Sequence, residues 1–455
     1  MSNETIAAIS TPLGVGGIGI VRLSGPDART IAGRVFRPSG KKELIDATGY
    51  TGMLGRIHGS GGDVDEAIAF IYRAPKSYTG EDVVELSCHG GIWAVRQALR
   101  LCLDAGARMA GPGEFTKRAF LNGKLDLSQA EAVIDIITAT GDAALKAALA
   151  AKDGALNSQI NSFVSELTAN AAHLAAWMDY PEEDLIPVDA PALATELSVT
   201  LDKMKRLLAT WDSGRIVREG ITTAIVGRPN VGKSTLMNLL MGEQKSIVTD
   251  LPGTTRDVVE GQIHFGDYTL LLVDTAGIRH TENPIESIGV DLSRRQIEVA
   301  GLILAVFDSS ESLTPEDMEL MGLLKGKKCV AVINKSDLPP LLDDKAIKSA
   351  IPATVSISAA GGTGKEDLER SVIHVLGLER FDPTAAVISN ERQRSCLEKA
   401  CDQLEEAIQA LQNSVTLDAV GVLIESALDE LLRLTGRQVN TAVVDAVFSQ
   451  FCVGK

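Results

Sequence analysis

Short apolar runs rich in β-branched residues open the chain. "TIAAIS", "GIGIVRLSG", "EAIAFIYR" and "DVVELSCHG" predict strands, and "IWAVRQALRLCLDAGA" carries helical periodicity up to a glycine. From about residue 125 the pattern changes to long helices rich in Ala, Leu and Gln. Ile160, Phe163, Leu167, Ala171, Leu174 and Met178 recur at three- and four-residue steps, which places them on one face as bundle core. "DYPEEDLIPVDAP" breaks that helix at Pro181 and Pro187, with Glu182–Asp184 as a solvated flank. From about 219, "TTAIVG", "TLLLVDTAG", "LILAVFD", "CVAVINK" and "TVSISA" alternate with helical stretches, the signature of a mostly parallel sheet. After about 380 the helical style returns: Leu397, Ala400, Leu404, Ile408 and Leu411 share a face, and "VLIESALDELLRLTG" ends at Gly436 as a C-terminal cap.

Neither helical half closes a core alone, so the two are expected to pack together with an α/β domain inserted between them. The fold class is therefore α/β plus all-α. It comprises an N-terminal α/β domain (1–120), a discontinuous helical-bundle domain (121–217 and 379–455) and an inserted domain with a mostly parallel sheet (218–378). At 455 residues the chain is too long for one core. A net charge of −16 argues against a large electropositive surface that grips nucleic acid unaided, although a basic partner can supply phosphate contacts. Aromatics at 4% make a base-stacking platform an unpromising reading. The six cysteines form no CxxC pair, which fits a reducing compartment, and no secretory signal or membrane-length apolar run is visible. A cytoplasmic location is expected.

The inserted domain carries the chemistry. "GRPNVGKST" follows an apolar strand and precedes a helix, as a P-loop requires. Gly227 and Gly232 let the backbone turn its N–H groups toward phosphates. Lys233 supplies a cation to the β/γ-phosphates, Ser234 a hydroxyl for Mg²⁺, and the helix its positive end. Asp274 of "DTAG" suits the Mg²⁺ shell, and Gly277 leaves room for a backbone N–H at the γ-phosphate. In "NKSD", Asp337 accepts two hydrogen bonds that guanine offers together and adenine does not. Asn334 suits the purine's Hoogsteen edge, Lys335 packs over the site, and Ala359 of "SISA" completes the pocket. The expected nucleotide contacts are Asn230 to Thr235, Thr249 to Thr255 (Thr249, Asp250, Leu251, Pro252, Gly253, Thr254, Thr255), Asp274, Thr275, Ala276, Gly277, Asn334, Lys335, Ser336, Asp337, Ser358, Ala359 and Ala360, with Val231, Gly232, Lys233 and Ser234 inside the first run. This is a Ras-like G domain, but Ile278 stands where many such proteins carry the glutamine that orients water.

"IVTDLPGTTRDVVEG" resembles switch I of the Era/Der/TrmE-type GTPases. "TIAAISTPLGVGGIGIVRLSG", "GEFTKRAFLNGKLDLSQAEAVIDII" and the terminal "FCVGK" narrow the resemblance to the MnmE (TrmE) family along essentially the whole chain. The resemblance implies an N-terminal domain that dimerises and binds a tetrahydrofolate derivative (5,10-methylene or 5-formyl), and a homodimer working with the FAD protein MnmG in a heterotetramer. The implied activity is a K⁺-dependent GTPase that modifies C5 of the wobble uridine of certain tRNAs, with FAD and most tRNA binding supplied by the partner. It implies K⁺ ligands at Asn230, Thr249, Leu251 and Thr254, Mg²⁺ at Ser234 and Thr255, and a water-activating carboxylate at Glu286 in place of the glutamine. It also implies a folate pocket at Arg22, Glu85, Lys124 and Lys455.

Cys452 is either a nucleophile, activated by a nearby cation, or a small buried hydrophobe. His89 reads as a hydrogen-bonded loop histidine, because no second metal ligand lies at suitable spacing. Val453 and Ala360 depart from the family pattern, and the latter removes a side chain that packs beside the purine. Two rival functions stand beside the enzyme reading: a regulatory or ribosome-assembly GTPase that only switches conformation, and a scaffold that binds GTP without turnover.

Overall fold

Alternation of buried and exposed positions along the N-terminal strands sets one face of a sheet against helices. In the computed structural model, seven strands pair in the order β3-β4-β5-β6-β2-β1-β7. They are β1 (Ile6–Ile9), β2 (Ile18–Ser24), β3 (Phe36–Pro38), β4 (Thr51–Gly59), β5 (Gly62–Tyr72), β6 (Val83–His89) and β7 (Arg108–Met109). Helices Ala28–Val35 and Ile92–Asp104 cover one face. There Val21, Leu23, Ala69, Ile71, Val84 and Leu86 form a core with Ile31, Ala98 and Leu99. Residues of opposite parity lie on the other face, where Ile6 and Ala8 pack with Ala110 and Phe115. The predicted strands and the helix are present. The strands β3, β4 and β7 and the helix Ala28–Val35 lack a comparable sequence signal: β4 carries three glycines and an exposed Leu54, so its alternation is faint.

The structure describes residues 4–179, 187–242, 259–273 and 297–455, and the chain divides into two units. One comprises Met1–Ile134, Ile160–Val188 and Gln409–Lys455; the other comprises Asp135–Gln159 and Asp189–Ile408. Within the first, the residues predicted as a core stripe behave as such: Ile160, Phe163, Leu167 and Leu174 are buried. Gly421, on helix Leu417–Thr435, lies against Leu174 and Met178, so segments far apart in sequence share that core. Phe120, Phe448 and Phe451 stack in tilted pairs near Leu127 and Val444, closing the C-terminal tail onto the same unit. Gly436 takes φ +88 at the end of its helix, the left-handed cap expected from sequence.

The second unit holds a six-stranded sheet in the order β13-β12-β11-β8-β10-β9. Its strands are β8 (Ile221–Val226), β9 (Val259–Phe265), β10 (Tyr268–Val273), β11 (Leu302–Asp308), β12 (Cys329–Asn334) and β13 (Thr354–Ser356). Every neighbouring pair is parallel except β9 with β10. β11 and β12 are buried at every position, which is why they read as unbroken apolar runs. Leu397, Ala400, Leu404 and Ile408 are buried as predicted. Among the described residues no helix is long and apolar enough to cross a membrane.

Candidate functional site

The loop after β8 has the backbone that phosphate recognition demands. Gly227 takes φ +150, and a Cβ there would meet the Val306 carbonyl; Asn230 takes φ +62 and Gly232 φ +96. A side chain at Gly232 would collide with the Asn334 amide. The helix Lys233–Met241 begins at once, so its unpaired N–H groups face the loop mouth, with Ser234 and Thr235 exposed there. The Lys233 ammonium donates to the carbonyls of Gly227 (2.7 Å) and Arg228 (2.8 Å). Burial lowers its pKa from the usual lysine value.

Base-recognition loops attach to this turn through one residue. The Asn334 amide donates to the Val231 carbonyl at 2.9 Å, and its Oδ1 accepts from the Ala359 N–H at 2.9 Å. Asn334 therefore ties phosphate loop, "NKSD" and "SISA" together. Both ends of its amide take part in this bracing. The Ser358 hydroxyl donates to Asp337 at 2.5 Å and also accepts from the Gly361 N–H, which fixes the carboxylate's plane. Lys335 takes φ +63, and Ser336 N–H donates to Ile357 O. Asn230 to Thr235, Asn334 to Asp337 and Ser358 to Ala360 are thus brought to one end of the parallel strands, where such sheets bind ligands. Thr249, Asp250, Leu251, Pro252, Gly253, Thr254, Thr255, Asp274, Thr275, Ala276, Gly277, Ile278 and Glu286 lie outside the described residues, as does the flank Glu182–Asp184.

Two contacts here were not anticipated. Lys335 pairs with Asp308 at 2.5 Å, and Arg228 pairs with Glu311 at 2.5 Å. The signal for Asp308 was an apolar strand ending in an acid, which is directly opposite Asn334 in the β11–β12 register.

A second cluster forms in the N-terminal unit. Arg22 on β2 faces Glu85 on β6 in register, and both its Nε and a terminal nitrogen lie 2.8 Å from one Glu85 oxygen. The guanidinium sits 5.7 Å from the Tyr78 ring and 5.6 Å from that of Phe115. Cation–π contact holds it in place. The chain terminus reaches the same spot. Phe115 N–H donates to the Lys455 carbonyl, the Ser10 hydroxyl donates to the Gly454 carbonyl at 2.9 Å, and Pro112 bridges Val453. Burial lowers the Lys455 pKa, with Arg22 pushing the same way and Glu85 opposing. Arg22, Glu85 and Lys455 therefore converge. Lys124 lies apart in its bonding, donating at 3.2 Å to the Pro75 carbonyl of the loop that carries Tyr78. Tyr78, missed in the sequence, donates or accepts with Thr116 at 2.9 Å.

Cys452 is exposed, which removes its reading as a buried hydrophobe. By contrast, burial pushes the Cys102, Cys329 and Cys401 thiols up to about 12. His89 is hydrogen-bonded, as expected, but at the end of β6: its Nδ1 meets Asp65 at 2.7 Å. Among the described residues no group of side chains is arranged to hold a metal through His, Cys, Asp and Glu alone.

Comparison with known proteins matches both regions. A model of the TrmE N-terminus, described as a GTP-binding protein, matches residues 5–124, and a model of the MnmE helical domain matches 127–452. A tRNA modification GTPase MnmE from Enterococcus faecalis is 44% identical across all of this chain and 99% of its own length. The namesake from Carboxydothermus hydrogenoformans is 43% identical, with both chains covered in full. Full-length identity at this level, together with the two family models, assigns the chain: it belongs to the MnmE (TrmE) family of GTPases.

Proposed function

We propose that this chain hydrolyses GTP with Mg²⁺ and couples that hydrolysis to modification of C5 of the wobble uridine in certain tRNAs. The observation that carries the nucleotide half is the Asn334 tie, which holds a left-handed glycine turn, a half-buried lysine and a Ser358-braced Asp337 at one sheet end. Lys233 offers its cation to the β/γ-phosphates, and exchange of its two carbonyl bonds for phosphate oxygens is the binding event. Asp337, its plane fixed by Ser358, accepts from guanine N1–H and the exocyclic amine. Ser234, exposed at the helix start, fits a Mg²⁺ ligand; the ion would supply charge neutralisation at the β/γ-phosphates. Asn230, exposed and left-handed, fits one ligand of a K⁺ whose charge would replace an arginine finger. Thr255, Thr249, Leu251 and Thr254 are proposed to complete those two shells, and Glu286 to accept the proton of the attacking water.

The Arg22–Glu85–Lys455 cluster is proposed as the folate site. Cations there suit a carboxylate tail, Glu85 suits a pterin's donors, and the Tyr78 and Phe115 rings line it. Lys124 and Cys452 belong to that proposal as tail cation and candidate nucleophile. A homodimer, the FAD partner MnmG and a tRNA held largely by that partner complete the reading, which accommodates the acidic net charge. The domain limits 1–120, 121–217, 218–378 and 379–455 are part of the same proposal.

Deletion of the gene, with nucleoside mass spectrometry of bulk tRNA, tests the tRNA half. Loss of the C5-modified wobble uridine, restored by the wild-type gene but not by Glu286→Ala, is the expected result. Unchanged uridine modification in the deletion overturns it.

A further inference from the structure

Three acidic side chains, Asp308, Glu311 and Asp317, flank the nucleotide site without belonging to any of its motifs. We propose that Asp308 and Arg228 are positioning residues, and that segment 308–317 is a strut that fixes the phosphate lysine and the base-loop lysine together. The proposal rests on the guanine-nucleotide reading above and adds to it the groups that hold its two cations.

Asp308 ends β11 and is almost wholly buried. One of its oxygens takes the Lys335 ammonium at 2.5 Å, and the other accepts from the N–H (2.9 Å) and hydroxyl (2.6 Å) of Ser310. Burial alone would raise its pKa, but Lys335 and Ser310 outweigh it and hold the carboxyl low. Ser309 binds the same loop from the backbone side, its hydroxyl donating to the Lys335 carbonyl at 2.7 Å and its N–H to the Asn334 carbonyl at 2.9 Å. Both ends of Lys335 are thus held by residues 308 and 309. That matters because Lys335 sits at φ +63, a conformation a lysine adopts only when its surroundings impose it.

The other end of the strut holds the phosphate loop. The Arg228 guanidinium, itself largely buried, bonds Glu311 at 2.5 Å and lies 3.5 Å from Asp317. Asp317 is anchored in turn by a reciprocal cap, accepting from the Thr314 N–H and hydroxyl at the start of helix Pro315–Leu323. Arg228 Nε and Asp317 Oδ1 are buried with no hydrogen-bond partner. The 3.5 Å ion pair runs from that Nε to the other carboxylate oxygen, Oδ2, which also accepts from Thr314. Arg228 also carries the carbonyl that holds Lys233. Its side chain therefore sets the frame from which Lys233 reaches phosphate.

The test uses the full-length protein and a fluorescent GDP titration, with unlabelled inosine diphosphate (IDP) as competitor. Asp308→Asn is expected to weaken GDP and IDP by the same factor, about tenfold, because Lys335 does not read the exocyclic amine that IDP lacks. Arg228→Gln is expected to weaken GDP about tenfold, and Arg228→Lys to recover most of it. If one strut holds both cations, the double variant falls well short of the roughly hundredfold product. Melting temperature is read in parallel, since a merely structural role lowers it while leaving affinity intact. Where Asp308→Asn fails to fold, Asp308→Glu takes its place. Unchanged affinity, a fully multiplicative double variant, or a larger loss for GDP than for IDP each overturns the proposal. Wild-type protein that binds no GDP would instead overturn the nucleotide reading itself.

Discussion

The nucleotide site and the Arg22 cluster both gather charged groups at one spot, by different means. In the first, one contiguous loop of six residues shapes the backbone, and N–H groups and a helix end do most of the work. In the second, β2, β6, the Tyr78 loop, the Phe115 helix and the chain terminus each contribute one side chain. A backbone site is written into consecutive residues and is legible as a motif. A side-chain site exists only once the fold is formed, so its charges look like ordinary surface residues along the sequence. The difference has an energetic side as well: the Arg22–Glu85 pair is largely shielded from solvent, so removing either partner strands the other.

Five substitutions sharpen that contrast, beginning with the largest effect. Lys233→Ala removes the cation proposed to meet the β/γ-phosphates, and kcat/KM for GTP is expected to fall about 10³-fold. Steady-state phosphate release measures it. Arg22→Ala is expected to weaken binding of 5-formyl-tetrahydrofolate by at least about tenfold in calorimetric titration, with Glu85→Gln intermediate. Gly454→Ala tests the tail that brings Lys455 to the cluster. Gly454 takes φ +100, and a Cβ there would run into the Ile9 carbonyl. A loss of about 1–3 kcal/mol in tail docking is expected, read as faster proteolysis of the C terminus and weaker folate binding.

The smallest effect is at the exposed His89–Asp65 pair. Asp65 raises the His89 pKa, first by the hydrogen bond and then by its charge. A raised folded-state pKa stabilises the fold below the ordinary histidine range, and this contribution is lost as pH rises through the folded value. The melting-temperature deficit of His89→Gln should therefore be larger at pH 5.5 than at pH 8.5. Equal deficits would remove the ionic contribution.

Much of the fold was legible because burial leaves a periodic trace. The fully buried β11 and β12, the Ile160–Leu174 stripe and the left-handed Gly436 all followed from sequence. β3 and β7 did not, being two or three residues long, and the glycine-bearing β4 carries too few apolar positions to signal itself. At the site, the phosphate and base motifs were readable one by one, but the Asn334 tie between them was not, because it spans 103 residues to Val231 and 25 to Ala359. Tyr78 and Phe115 were invisible for the same reason: nothing in "KSYTG" or "GEFTK" states that an arginine more than fifty residues away will lie over their rings.

What compensates for Ile278, where related G domains carry a glutamine, decides whether this nucleotide site turns over at all. GTP hydrolysis by the purified protein, measured at equal ionic strength in potassium and in sodium, tests the proposed alkali-ion mechanism without altering a residue. The account expects phosphate release to rise at least about tenfold in potassium, with GDP affinity nearly the same in both salts. Equal rates in the two salts would contradict it.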